Sequence, residues 1–221
     1  MAVTPTYEVF PRDAYADGVA ARISENLVPG PVMITGGNTA AAVYRALAVL
    51  EINWDAHQIL FSDERAVPPT DEASNHRMAA ETLLEPAGIN DVLRIRGEDD
   101  PTAAALDYER AIHPALTQGI ALQILGMGDD CHIAALFPGS PALRETERLV
   151  VAVDRPDGLR GITLTPPALK RAERTFVIVT GGGKAEAVAR ALRSDDPADT
   201  CPVHLLSGPH FLLDEDAASG L

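Results

Sequence analysis

Short apolar runs alternate along this chain with alanine-rich stretches in which apolar residues recur every three or four positions. Residues 31–35 (PVMIT), 59–61 (ILF), 121–125 (ALQIL) and 176–180 (FVIVT) have the length and mainly apolar character of strands covered on both faces. Helical spacing marks residues 15–25, 40–50, 75–84, 102–112 and 185–193. Strands that alternate with helices are joined by crossovers, and crossovers make neighbouring strands parallel. The expected fold is therefore α/β, a three-layer α/β/α, Rossmann-like domain with a mainly parallel central sheet. The acidic turn 97–101 (GEDDP) is flanked by segments too short to fold alone, so residues 1–221 are expected to form a single domain.

Each strand candidate ends in a polar, turn-forming segment. In chain order these are Gly36-Gly37-Asn38-Thr39, Ser62-Asp63-Glu64-Arg65, Gly126-Met127-Gly128-Asp129-Asp130 and Gly181-Gly182-Gly183-Lys184. In an open parallel sheet, ligands bind beyond the carboxyl ends of the strands, where loops meet helix N-termini. Adjacent strands would bring all four segments to one crevice.

Composition narrows the partners. The chain carries 18 basic and 32 acidic residues, a net charge of −14, with a pI near 4.7. Such a field repels phosphate backbones and anionic bilayers, so neither nucleic acid nor a membrane is an expected partner. No run approaches the ~18 apolar residues of a membrane span, and residues 1–12 lack the basic and apolar regions of a secretion signal. Two cysteines, Cys131 and Cys201, are too few for a disulfide framework, and no Cys/His cluster has zinc-site spacing. A cytoplasmic protein without a metal is expected, with a monomer as the default state. Only two of the basic residues are lysines, Lys170 and Lys184, which makes a lysine in a glycine-rich turn conspicuous.

The Gly36–Thr39 turn joins a strand to a helix, so its N–H groups and the helix dipole suit a phosphate, with Thr39 adding a hydroxyl. The alternative is an ordinary tight turn in which glycine only permits unusual φ angles. The Gly181–Lys184 turn repeats the geometry and adds a cation. It is not a nucleotide-hydrolysing P-loop, because Ala185 replaces the Ser/Thr and Ile178 stands where the first glycine belongs. Gly126-Met127-Gly128 lacks the third glycine of a dinucleotide fingerprint, where Cys131 stands. His132 lies just past that strand among acidic neighbours, where a neutral imidazole can take a proton from water. A lone histidine is more commonly structural or solvated, and His57, His76, His113, His204 and His210 are read as surface or packing residues. Arg65 offers a planar fork to a phosphate or carboxylate. Ser62, Asp63 and Glu64 beside it read as a solvated turn held by local pairing. No GxSxG elbow is present.

Taken in order, these segments resemble the 6-phosphogluconolactonase family, within the glucosamine-6-phosphate isomerase/deaminase-like group. The matching text adds Val67-Pro68, Ser74-Asn75, Leu136-Phe137-Pro138, Ile162-Thr163-Leu164-Thr165 and Leu212-Leu213-Asp214 to the turns above. The resemblance implies hydrolysis of 6-phospho-D-glucono-1,5-lactone to 6-phosphogluconate, in the oxidative pentose phosphate pathway, with no metal or organic cofactor. It implies His132 as general base supported by Asp130, and a phosphate held by Gly36, Gly37, Asn38, Thr39 and Lys184. Arg65 is assigned to the substrate, a small phosphorylated sugar lactone.

This chain departs from the family pattern in two places. Cys131, Ile133 and Ala135 replace the glycine, threonine and serine of Asp-Gly-His-Thr-Ala-Ser, which is expected to change backbone angles. Cys131 is read as a tolerated small residue, with a nucleophile as the alternative. Gly161 stands where an arginine commonly precedes the Ile-Thr-Leu-Thr run; Arg160 is expected to substitute through a loop shift, the alternative being that a substrate contact is missing. Two rival functions are an isomerase/deaminase, whose motif sets a glutamate where this chain has Phe137, and a sugar-phosphate sensor without turnover.

Overall fold

The computed structural model describes residues 4–221; residues 1–3, part of the N-terminal segment read above, lie outside the described residues. In chain order the elements are β1 (Thr6–Phe10), α1 (Tyr15–Asn26), β2 (Val32–Ile34), α2 (Asn38–Ala48), β3 (Ile59–Phe61), β4 (Asp63–Arg65), α3 (Asn75–Ala79) and β5 (Val92–Leu93). They continue with α4 (Pro101–Gln118), β6 (Leu122–Gly126), β7 (Val150–Asp154), β8 (Arg160–Leu164), α5 (Pro166–Leu169), β9 (Thr175–Val179), α6 (Ala185–Arg193) and β10 (His210–Asp214).

Seven strands form the main sheet in the order β1-β10-β9-β6-β2-β3-β5, with every pairing parallel. The chain steps outward from β2 through β3 to β5, returns to β6 beside β2, and steps outward again through β9 to β10. The gap between β2 and β6 is therefore a topological switch point, where loops diverge and leave a crevice. Strands as short as β2 and β3 persist because every one of their side chains is buried, each contributing about 1.5–3 kcal/mol relative to exposure.

Two buried tyrosines fix the strand ends that lead into the crevice. The Tyr44 hydroxyl, from α2, accepts from Thr35 N and donates to Thr35 O, each at 3.0 Å. The Tyr108 hydroxyl, from α4, accepts from Phe61 N at 2.7 Å and donates to Phe61 O at 2.9 Å. Where a ladder ends, buried backbone groups need such partners. Burial raises the pKa of both phenols, which keeps their protons in place.

The strands read from apolar runs recur within two residues of their expected limits. Helix α4 extends past the expected end at 112 and through Pro114, because Ala115 and Leu116 continue its buried face. The expected helix 75–84 is divided into α3 and a π-helical turn, Ala80–Leu84. The turn 97–101 ends in a cap, with the Asp100 carboxylate accepting from Thr102 N at 3.1 Å and Ala103 N at 3.0 Å. Strands β4, β8 and β7 form a separate antiparallel sheet that the apolar runs did not indicate. Among the described residues no helix is long and apolar enough to cross a membrane.

Candidate active site

The segments after β2, β3, β6 and β9, four adjacent strands, meet around a cleft of about 700 Å³ that opens to solvent. Gly36, Gly37, Thr39, Arg65, His132 and Lys184 line it. Asn38 is exposed at the start of α2 and stands outside the wall, so its side chain is not in the position expected of it. None of the other histidines reaches the cleft.

Asp130 stands behind His132. Its Oδ1 accepts from the His132 backbone nitrogen at 3.0 Å and lies 2.6 Å from Nδ1. Burial opposes the Asp130 charge, yet these hydrogen bonds hold its pKa at about 2. An ionised carboxylate only accepts, so Nδ1 carries a proton, and in the neutral imidazole this tautomer leaves the lone pair on Nε2. Among the described residues Nε2 has no hydrogen-bond partner. The loop is closed by Gly128 N donating to His132 O at 2.9 Å. A side chain at 128 would overlap both His132 Nδ1 and Asp130 Oδ1, so the absence of a Cβ there makes room for the pair.

Cys131 has φ 67°, a left-handed backbone conformation that favours glycine. That conformation costs a non-glycine residue about 1–2 kcal/mol. The thiol points away from the cleft, is fully buried, and donates to Ala187 O at 3.6 Å in α6. A sulfur so placed packs and does not attack.

Ser62, Asp63 and Glu64 are not a solvated turn; they are 0%, 5% and 2% exposed. Glu64 accepts from Asn75 N and His76 N at 2.7 Å, Arg65 N at 2.8 Å and the Ser74 hydroxyl at 3.0 Å. It thus fills the donors at the start of α3, which reconciles a buried carboxylate with the fold even though burial raises its pKa. Asn75 donates to Asp63 Oδ2 at 3.2 Å, accepts from Arg65 Nη1, and lies so close to Gly36 that a Cβ there would overlap its amide. Asp63 and Asn75 line the cleft without having been expected to. The adjacent Ser74-Asn75 text was a motif without an assigned role.

The second glycine turn is held from below. Gly181 N donates to both oxygens of buried Asp214 at 3.0 Å, and Gly181 has φ 91°. Thr180 Oγ1 lies 2.7 Å from Thr39 Oγ1, which ties the two turns together across the cleft. Lys184 Nζ lies 3.8 Å from Asp129 Oδ1, with the lysine side chain 32% exposed.

Arg160 does not enter the cleft. It is exposed and faces Asp154 at 3.6 Å across the β7–β8 hairpin. Arg155, five residues earlier, lines the cleft instead, with its side chain only 8% exposed. Its guanidinium carbon lies 5.3 Å from the centre of the Phe137 ring, and that ring lies 4.5 Å from the His132 imidazole. Among the described residues, no group of three His, Cys, Asp or Glu side chains is placed to hold a metal ion.

Known proteins share this arrangement of elements. The family model described as glucosamine-6-phosphate isomerases/6-phosphogluconolactonase matches residues 13–212. The 6-phosphogluconolactonase of Mycobacterium tuberculosis is 36% identical over 209 residues, covering 86% of this chain and 84% of that one. That of Treponema pallidum is 34% identical over 187 residues, covering 80% and 77%. The crystal structure of 6-phosphogluconolactonase from Thermotoga maritima superposes with a TM-score of 0.85 at 27% identity, over 96% of this chain and 100% of that one. With every cleft-forming segment inside the matched span, the chain belongs to the glucosamine-6-phosphate isomerase/6-phosphogluconolactonase family.

Proposed function

We propose that this protein is a 6-phosphogluconolactonase, hydrolysing 6-phospho-D-glucono-1,5-lactone to 6-phosphogluconate. The observation that carries this assignment is the Asp130–His132 pair opening onto the same cleft as both glycine-rich turns. The phosphate sits against the N-terminus of α2, beside Gly36, Gly37 and Thr39, with Lys184 and Arg65 supplying positive charge. Asn38 contributes its main chain only. Binding at this remote end fixes the sugar ring, so that affinity for the phosphate becomes orientation of the carbonyl.

His132 Nε2 then takes a proton from water as the water oxygen attacks C1 of the lactone. Asp130 holds the imidazole in the competent tautomer and stabilises the imidazolium that forms. When the tetrahedral intermediate collapses, the C1–O bond of the ring breaks and the imidazolium returns its proton to the departing oxygen. One water is consumed and the product is the open-chain acid. Phe137 packs on the imidazole where a deaminase-type motif would set a carboxylate, which favours lactone hydrolysis over isomerisation. We read the enzyme as a monomer, and a small sugar-phosphate substrate suits a cytoplasmic enzyme.

The test is lactone hydrolysis measured above the spontaneous rate. The wild type is expected to exceed background, and His132→Ala to lose about 10²–10⁴ of the excess. A wild type no faster than background, yet binding 6-phosphogluconate, would identify a sensor.

A further inference from the structure

Gly161 lies inside β8, paired to Arg65 on one side and Val153 on the other, where glycine weakens a strand. Its φ lies outside the left-handed region, so its backbone does not require glycine. What surrounds it accounts for it: a Cβ at 161 would stand 3.1 Å from Arg155 Cδ, 3.2 Å from Glu64 O and 3.5 Å from Arg155 Cγ. The aliphatic stem of Arg155 occupies the room that a side chain at 161 would take, and from there its guanidinium reaches the cleft wall.

That guanidinium is only partly used. Its Nε and Nη2 donate to Asp157 at 3.1 and 3.0 Å, while among the described residues Nη1 has no partner. That side chain lines the cleft, where its guanidinium can donate to an anion. Burial opposes the Asp157 charge, but Arg155, Leu159 N and the nearby Arg65 keep that carboxylate ionised. Asp157 therefore stands between two arginines, and Arg65 in turn contacts Asn75 beside Gly36. Arg65 and Arg155 thus both bring guanidinium groups to the cleft wall, Arg155 over the Phe137 ring, and such forks suit a dianion.

We propose that Arg155 binds the substrate's phosphate, and that glycine at 161 is a specificity determinant because it admits the Arg155 stem. This rests on the lactonase assignment for the identity of the ligand, but not on turnover.

The experiment is calorimetric binding of 6-phosphogluconate, with hydrolysis of phosphorylated and unphosphorylated lactone measured in parallel, on the wild type, Arg155→Gln, Arg155→Lys and Gly161→Ala. Arg155→Gln is expected to weaken 6-phosphogluconate binding about ten- to a hundredfold. Its kcat/KM should fall further on the phosphorylated than on the unphosphorylated lactone. Arg155→Lys should fall between, and Gly161→Ala should move in the same direction by displacing the stem. Binding as tight as wild type in Arg155→Gln, or equal losses on both lactones, would overturn the proposal. A wild type that binds in an Arg155-dependent way but never hydrolyses lactone would overturn the enzymatic assignment and leave the role of Arg155 standing.

Discussion

A single oxygen, Asp130 Oδ1, receives both the backbone N–H of His132 at 3.0 Å and the ring nitrogen Nδ1 at 2.6 Å. Position and tautomer of the imidazole are thus set by one atom. In Asp130→Asn the shape survives but the charge that stabilises an imidazolium is gone. We expect kcat to fall by about 10²–10⁴ with KM for the lactone nearly unchanged. A loss expressed mainly in KM would place Asp130 in substrate binding instead.

The same pair makes a pH prediction. The Asp130 pKa is about 2 against an ordinary value of 3.8, held down by His132 over the opposing effect of burial. A depressed carboxylate pKa adds stability that is complete above the ordinary value and lost as pH falls through the folded one. The Tm difference between wild type and Asp130→Asn should therefore be constant from neutral pH to about 4, then close toward pH 2. A Tm gap that stays constant down to pH 2 would contradict the coupling.

Gly128 offers a test that leaves both partners in the sequence. A methyl group there would overlap His132 Nδ1 and Asp130 Oδ1, while the backbone angle at 128 tolerates any residue. Gly128→Ala should lower kcat by an amount approaching that of His132→Ala while circular dichroism remains native. Full activity in Gly128→Ala would mean that the Asp130–His132 contact is dispensable.

Lys184 is half-free, with Asp129 as its partner at 3.8 Å. Lys184→Ala should raise KM for the phosphorylated lactone about tenfold or more and leave the unphosphorylated lactone unaffected. Equal effects on the two would move Lys184 out of phosphate recognition.

How much of this was legible in the sequence depends on where burial is decided. Strands β2, β3, β6 and β9 are covered on both faces, so their side chains are mostly apolar and readable, the buried Gln123–Thr175 pair being the exception. Strand β4 is Asp63-Glu64-Arg65, which reads as a turn. It is buried because four donors, two of them at the start of α3, satisfy Glu64, and those donors are ten or more residues away except for Arg65 N. The arginine of the β7–β8 hairpin was sought at Arg160, next to Gly161. Arg160 instead faces Asp154 across the hairpin, and the route into the cleft opens over Gly161 to Arg155, which no spacing rule connects to it. Cys131 could be flagged as a replaced glycine, but only the fold reveals that the thiol seals the underside of the loop against α6 from a left-handed backbone.

The account stands most directly on where a bound product lies. In crystals soaked with 6-phosphogluconate, the phosphate should rest at the start of α2 within reach of Lys184 and Arg65, with the C1 carboxylate within hydrogen-bonding distance of His132 Nε2. A product bound in the reverse sense, with its phosphate at His132, or with C1 remote from the imidazole, would contradict it.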